Sequence, residues 1–153
     1  MNRALAALPP ALAACGAVVA IDQGSKALAT SLVARGDREE VLPFLAFQNT
    51  RNRGVAFGLA GDVSAPLIGV MLVGLLALLV FLAARASHGT ALWLAAGLLV
   101  GGALGNLADR VRDGAVTDFI DLPLWPTFNL ADLAIVAGVF LLVLAVDERA
   151  SPD

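Results

Sequence analysis

The segment VTDFIDLPLWPTFNLADLAI, residues 116–135, runs from a polar loop into an apolar helix and carries the aspartates Asp118 and Asp132. Two prolines between the aspartates fix the course of the chain, because the proline ring locks φ. Asn129 is a favourable N-cap residue, and Asp132, three residues later, has the spacing of a capping-box acid. Capping would explain Asp132 by itself, but it leaves Asp118 without a role.

The composition around this segment is that of an integral membrane protein. Hydrophobic residues make up 59% of the 153-residue chain, charged residues make up 15%, and the mean hydropathy is +0.83. A soluble domain is less apolar and more charged than this. The apolar residues also fall in blocks long enough to cross a bilayer, and the length suits a single membrane domain covering residues 1–153.

The composition also argues against two kinds of site. The formal net charge is −3 and the ten Lys and Arg residues are scattered, so no surface for nucleic acid is indicated. The single cysteine, Cys15, and the single histidine, His88, lie far apart in sequence. A His/Cys zinc site is therefore not expected, and we expect no metal and no cofactor.

Four apolar segments predict transmembrane helices at about residues 10–34, 66–85, 91–110 and 129–147, with loops at about 35–65 and 111–128. The first of these segments also has features of a cleaved lipoprotein signal, because LAACG occupies residues 12–16. Its apolar run continues past Cys15 to Ile21, which favours a retained helix. Proline at positions 9 and 10 suits a helix start, where the missing N–H would be unpaired anyway.

Polar and small residues within these helices predict how the helices pack. Asp22 and Lys26 are four residues apart and therefore neighbours on one helical face. Charges within a bilayer are tolerated when they are paired, so an ion pair that fixes packing is favoured over a direct chemical role. Gly97, Gly101 and Gly105 recur every four residues and predict a stripe along which another helix packs closely.

Two further polar groups border the helices. In the first long loop, residues 41–47 have a strand-like composition, and NTRNRGVAFG follows at residues 49–58, with glycines that permit sharp turns. At the end of the third helix, polar residues recur at three- and four-residue spacing and share one face: Asn106, Asp109, Arg110 and Asp113. Either group alone is also typical of an ordinary loop or a solvated helix end.

Five motifs, taken in order, resemble those of the bacterial lipoprotein signal peptidases, also called signal peptidase II. They are DQGSK (residues 22–26), NRGVAF (52–57), GGALGNLADR (101–110), VTDFI (116–120) and FNLAD (128–132). Each motif is weak by itself, but five in this order among four apolar segments are specific. The resemblance extends from Asp22 to Ile135.

The resemblance implies an all-α integral membrane protein with four transmembrane helices and a small β-rich extracytoplasmic cradle between helices 1 and 2. It places the protein in the bacterial cytoplasmic (inner) membrane, with both termini in the cytoplasm and the active site near the extracytoplasmic face. The positive-inside rule favours the opposite orientation, since six arginines would lie outside. They are Arg35, Arg38, Arg51, Arg53, Arg110 and Arg112. We give the five motifs more weight, because arginines around an active site serve other purposes.

The resemblance also assigns residues to the site. The catalytic aspartate pair of the family corresponds to Asp118 and Asp132. Other positions that the family motifs place near the site are Asp22, Lys26, Asn52, Gly54, Ala56, Phe57, Gly105, Asn106, Arg110, Asn129 and Ala131. Asn49 is an alternative for the asparagine assigned to Asn52.

The implied activity is that of an aspartyl endopeptidase that cuts prolipoproteins on the N-terminal side of a diacylglyceryl-modified cysteine. Two neighbouring carboxylates can share one proton, so one activates water while the other polarises the scissile carbonyl. Asp132 at a helix N-terminus favours the charged form, whereas Asp118 on a partly apolar loop should be easier to protonate. The implied partners are prolipoproteins, membrane lipid and globomycin-type cyclic peptide inhibitors, and we expect a monomer.

The alternative from another class is a small four-helix proton-coupled transporter that uses Asp22 as its intramembrane carboxylate. The acidic cluster lies at a membrane face, whereas a transport site belongs at the bilayer midplane. No G-x-S-x-G motif is present for a serine protease, and the G-x-G-D pattern of presenilin-like enzymes is absent too. The sequence therefore favours the peptidase.

Overall fold

The computed structural model describes residues 3–54, 69–77, 80 and 90–147. These residues form four helices: α1 (Arg3–Leu32), α2 (residues 69–77), α3 (Thr90–Asp113) and α4 (Leu130–Asp147). They also form three strands: β1 (Arg38–Leu42), β2 (Leu45–Asn52) and β3 (Val116–Asp121). Residues 66–68, 78–79 and 81–85 of the second predicted helix lie outside the described residues.

Helix α3 is central, because it packs against both α1 and α4. The glycine stripe on α3 faces α1. A Cβ atom added to Gly97 would lie 2.5 Å from the carbonyl oxygen of Ala11, and one added to Gly101 would lie 2.9 Å from that of Cys15. The two backbones therefore touch where side chains would separate them, and the close packing predicted from the glycine spacing is confirmed.

Helix α1 begins at Arg3, earlier than the start near residue 10 expected from the prolines. Pro9 and Pro10 lie inside the helix. The fixed φ of proline is compatible with a helix, and the cost falls on the N–H bonds that the two residues cannot donate. Because the two positions are adjacent, both missing bonds fall in the same turn.

The three strands form one antiparallel sheet in the order β1-β2-β3. The strand-like residues 41–47 fall in the β1–β2 hairpin of the first loop, as expected. Strand β3, however, comes from the connection between α3 and α4, so the cradle is not built by the first loop alone. Its β-branched residues favour a strand, but only pairing with β2, with Thr50 opposite Asp118, places it in the sheet.

The helical surfaces are strongly apolar. Among the described residues, one helix, Ala91–Asp113, is long and apolar enough to cross a membrane, with a mean hydropathy of 1.7, and a shorter apolar helix covers Leu130–Ala145. Large apolar side chains are exposed along α1, α2 and α4, among them Leu12, Ile21, Leu28, Val70, Val73, Leu76, Val136, Phe140 and Val143. Apolar patches of this extent mark interaction with a membrane or with other proteins.

Two glycine substitutions test the contact between α3 and α4. In Gly102→Ala the new Cβ would lie 2.5 Å from the carbonyl oxygen of Ala131 and 2.7 Å from Cγ1 of Ile135. We expect this variant to lose about 1–3 kcal/mol of stability, because overpacking forces the helices apart. The measurement is thermal unfolding of the detergent-solubilised protein.

The matched control is Gly16→Ala on α1, because no atom lies within 4 Å of the Cβ position there. We expect Gly16→Ala to retain or slightly raise stability, since alanine is the better helix former by about 1 kcal/mol. Equal unfolding temperatures for Gly102→Ala and the wild type would show that α3 and α4 do not approach this closely.

Candidate active site

Asp118 is a buried carboxylate on β3, with 3% of its surface exposed. Its Oδ1 accepts a hydrogen bond from Nδ2 of Asn129 at 2.6 Å, and its Oδ2 accepts one from Nδ2 of Asn52 at 2.9 Å. Asn52 is brought there by the pairing of β2 with β3. Two amides from different elements therefore fix the orientation of this carboxylate.

Asp132 lies in the first turn of α4 and is half-buried. Its Oδ2 accepts the backbone N–H of Asn129 at 3.1 Å, while its own N–H donates to Oδ1 of Asn129 at 3.0 Å. These reciprocal bonds confirm the capping box predicted from the spacing of the two residues. The other oxygen, Oδ1, accepts from Nδ2 of Asn106 at 2.8 Å. The carboxylate thus both caps its helix and contacts α3.

Asn129 connects the two aspartates directly. Its side-chain nitrogen donates to Asp118, while its side-chain oxygen and backbone N–H bond to Asp132. The residue is completely buried. Phe128, just before it, forms an antiparallel bridge with Ile120 of β3, which brings the start of α4 beside the strand. Both carboxylates are therefore held around one residue, although thirteen positions separate them in the sequence.

The buried ammonium of Lys26 is linked to Asp132 through the side chain of Asn106. It contacts Oδ2 of Asp22 at 2.8 Å, Oδ2 of Asp109 at 3.0 Å and Oδ1 of Asn106 at 2.9 Å. The ion pair predicted between Asp22 and Lys26 is confirmed. Asp109, which is fully buried, was not among the site residues selected from the sequence. The available signal was its position in GGALGNLADR, three residues after Asn106.

Asp22 supports the start of α4 from a different helix. Its Oδ1 accepts the backbone N–H of Ala131 at 2.9 Å, and its Oδ2 contacts Lys26. A Cβ atom on Gly105 would lie 2.6 Å from Oδ2 of Asp22, so only glycine leaves room for this arrangement. Both oxygens of the fully buried Asp22 are thus engaged within the protein, which favours a structural role for this residue.

Four further site residues were predicted from the sequence, and the structure describes two of them, Arg110 and Gly54. Arg110 donates from NH1 to the carbonyl oxygen of Asn106 at 3.5 Å, and its buried Nε has no partner. Gly54 adopts a φ of 78°, which suits glycine, and its N–H donates to Oδ1 of Asn52 at 2.7 Å. Ala56 and Phe57 lie outside the described residues.

The structure distinguishes Asn49 from Asn52, the two asparagines of the first loop that could lie near Asp118. Asn49 donates from Nδ2 to the carbonyl oxygen of Val33 at 2.9 Å, and its backbone carbonyl accepts the N–H of Gly36 at 3.0 Å. It therefore closes the end of α1. Asn52, and not Asn49, contacts Asp118.

The environment of Asp118 alters its ionisation. Burial raises its pKa to about 6, because the charged form loses hydration. Hydrogen bonds from Asn52 and Asn129 lower this pKa, the nearby charge of Asp132 raises it, and that of Lys26 lowers it. Among the described residues, no group of three or more His, Cys, Asp or Glu side chains could hold a metal ion. The site therefore offers two carboxylates, amides and a cation.

Removing the amide of Asn52 should raise the pKa of Asp118 above about 6, because that hydrogen bond favours the ionised form. We expect the Asn52→Ala variant to titrate Asp118 at higher pH than the wild type. The measurement is a carboxyl-carbon NMR titration of protein labelled with ¹³C at aspartate.

Asn49→Ala is the matched control, because it removes an asparagine from the same strand. It should leave this titration unchanged but lower stability by about 1–2 kcal/mol, since the carbonyl of Val33 loses its donor. A shift of the Asp118 titration in Asn49→Ala, or none in Asn52→Ala, would contradict the assignment.

Comparisons with known proteins identify the family. A family model described as Signal peptidase (SPase) II matches residues 14–147. The lipoprotein signal peptidase of Pelotomaculum thermopropionicum is 42% identical over 131 residues, covering 84% of this chain and 86% of that protein. The lipoprotein signal peptidase of Syntrophomonas wolfei is 44% identical over 131 residues, covering 84% and 87%.

A solved structure gives the same result. A bacterial membrane enzyme determined by the in meso method at 2.3 Å resolution superposes with a TM-score of 0.81 at 34% identity, covering 92% of this chain and 89% of that one. A second such structure, at 1.9 Å resolution, also has a TM-score of 0.81 and 34% identity, covering 89% of this chain and 91% of that one. The chain therefore belongs to the signal peptidase II family, the lipoprotein signal peptidases, and is a membrane peptidase.

Proposed function

We propose that this chain is an aspartyl endopeptidase that removes the signal peptide from diacylglyceryl-modified prolipoproteins, cutting on the N-terminal side of the lipidated cysteine. The observation that carries the proposal is the placement of Asp118 and Asp132 on either side of Asn129. Family membership supports prolipoproteins as the substrate class. The two carboxylates supply the acid and the base that peptide hydrolysis requires.

The two carboxylates take different roles. Burial of Asp118 raises its pKa to about 6, which favours the protonated form for this partner. Asp132 lies at a helix N-terminus, where the helix dipole stabilises negative charge. Asp132 takes a proton from water, the resulting hydroxide attacks the scissile carbonyl, and Asp118 donates its proton to the carbonyl oxygen.

Collapse of the tetrahedral intermediate completes the reaction. The carbonyl reforms and returns the proton of its oxygen to Asp118, while the C–N bond breaks. The leaving amine takes the proton that Asp132 removed from water. Both carboxyl groups thus regain their starting states, and no covalent enzyme intermediate is formed.

Substrate binding uses the groups that face the aspartate pair. Arg110 is half-buried near the end of α3, and its guanidinium donates to a peptide carbonyl or to the ester linkage of the lipid. Asn106 and Asn129 are already bonded to the aspartates and hold the catalytic geometry. The diacylglyceryl chains lie in the bilayer between helices, and globomycin-type cyclic peptides compete with the substrate for this site. The protein acts as a monomer.

The chain spans the bacterial inner membrane four times, with both termini in the cytoplasm and the site near the extracytoplasmic face. The exposed apolar side chains of α1, α2 and α4 support contact with lipid on these helices. Three of the six outer arginines, which oppose this orientation, have acidic partners. Arg38 pairs with Asp121 at 2.6 Å, Arg51 with Asp113 at 3.1 Å, and Arg112 with Asp109 at 3.3 Å. These three arginines therefore form ion pairs within the protein, which explains their presence in the outer loops without reversing the orientation.

Cleavage by purified variants tests the aspartate pair. In detergent micelles, the wild type should release the signal peptide from a diacylglyceryl-modified precursor and leave the unmodified precursor intact, as detected by mass spectrometry. Asp118→Asn and Asp132→Asn should each lose about 10²–10⁴-fold in kcat, because each removes an acid–base group.

Asp121→Asn is the matched control on the same strand, since Asp121 pairs with exposed Arg38 and not with the site. It should cleave at the wild-type rate. Wild-type turnover in either dyad variant, with the variant folded, would refute the mechanism.

A further inference from the structure

Asp109 is a buried carboxylate on which four N–H donors converge. Oδ2 accepts from Nζ of Lys26 at 3.0 Å and from the backbone N–H of Thr117 at 3.2 Å. Oδ1 accepts from Nε2 of Gln23 at 2.9 Å and from NH2 of Arg112 at 3.3 Å. None of its surface is exposed. Asp109 thus links α1, the end of α3 and the start of β3 through one side chain.

The bond to Thr117 bears directly on the catalytic pair, because Thr117 immediately precedes Asp118. The N–H of Thr117 donates to Asp109, and its carbonyl oxygen accepts from Nδ2 of Asn129 at 3.4 Å. The backbone N–H and carbonyl of Thr117 are therefore bonded to the side chains of Asp109 and Asn129. The position of β3 relative to α3 depends on this contact as well as on pairing with β2.

The bond to Lys26 connects Asp109 with the other aspartate. Lys26 also donates to Oδ1 of Asn106 at 2.9 Å, and Nδ2 of Asn106 donates to Asp132 at 2.8 Å. One oxygen atom of Asp109 is thus bonded to the backbone before Asp118 and to the cation that orients the partner of Asp132. A displacement of Asp109 would change the spacing of the two carboxylates.

We propose that Asp109 is a positioning residue for the aspartate pair, fixing Asp118 through the backbone N–H of Thr117 and Asp132 through Lys26 and Asn106. The proposal rests on the proposed function of Asp118 and Asp132. A carboxylate is required, because both oxygens must accept from two donors each. Asparagine has the same shape, but its NH₂ group would face two of these four donors.

Kinetics of Asp109→Asn test this role. We expect kcat to fall about 10–100-fold, since a misplacement of about 1 Å costs up to 10²-fold in rate. KM should change by less than about two-fold, because Asp109 is buried behind the site and does not face substrate. Loss of folded protein would also lower the apparent kcat at constant KM, so kcat is calculated from the concentration of folded enzyme, measured by size-exclusion chromatography and circular dichroism of each variant.

Asp113→Asn is the matched control, because Asp113 lies one turn further along α3 and pairs with Arg51 and Arg112 at the surface. It should retain both kinetic constants. The wild type and all variants are assayed on one diacylglyceryl-modified precursor. Failure of the wild type to cleave it counts against the proposed function, whereas equal kcat for Asp109→Asn and the wild type overturns the positioning role alone.

A second variant, Thr117→Pro, removes the backbone N–H while leaving Asp109 in place. Proline suits this position, because the strand keeps the preceding residue extended and the lost N–H is the one that donates to Asp109. We expect a similar fall in kcat, and a double variant with Asp109→Asn no slower than the slower single variant.

The Thr117→Pro variants test whether Asp109 affects kcat through the backbone N–H of Thr117. Additive losses in the double variant, or a wild-type kcat in Thr117→Pro, would overturn the proposal. If Asp109→Asn does not fold, the kcat of Thr117→Pro alone decides, with a fall supporting the proposal and a wild-type value refuting it.

Discussion

The buried ammonium of Lys26 is the interaction on which the arrangement of the helices and the site depends. All three of its protons are used, on Asp22 of α1 and on Asp109 and Asn106 of α3. Asp22 in turn accepts the N–H of Ala131 at the start of α4. A charge in an apolar interior is tolerated only when it is paired and hydrogen-bonded, as this one is. One cation therefore aligns three helices at the level of the aspartate pair.

The two aspartates of the pair lie in different environments. Asp118 is buried on a strand between two amides, and burial raises its pKa to about 6. Asp132 is part of a capping box, which holds it in the first turn of α4. For the proposed reaction, these hydrogen bonds orient both carboxylates in advance, which avoids reorganisation of the site. The capping role of Asp132 is thus compatible with catalysis and explains how that carboxylate is held in place.

Local and periodic features were predictable from the sequence, whereas contacts between distant segments were not. The Asp22–Lys26 pair, the cap formed by Asn129 and Asp132, and the glycine stripe all follow from spacing along one helix. The strand β3 and the role of Asp109 depend on tertiary pairing that spacing does not encode. The NRGVAF motif favoured Asn52 over Asn49, and the structure distinguishes them, because Asn52 contacts Asp118 whereas Asn49 contacts Val33. The assignment of Asp118 as catalytic came from the resemblance to a family, since no local pattern explained it.

The most direct test of this account compares the loss of a buried cation with the loss of an exposed one. Lys26→Met retains the apolar length of the side chain but leaves buried Asp22 without a cation and Asp109 with only its contact to Arg112. Arg38→Met breaks exposed pairs with Glu40 and Asp121. The measurement is the free energy of unfolding of each variant in detergent. The account predicts a loss of about 3–5 kcal/mol for Lys26→Met and of about 1 kcal/mol or less for Arg38→Met. Equal losses for the two variants would contradict the central role of Lys26.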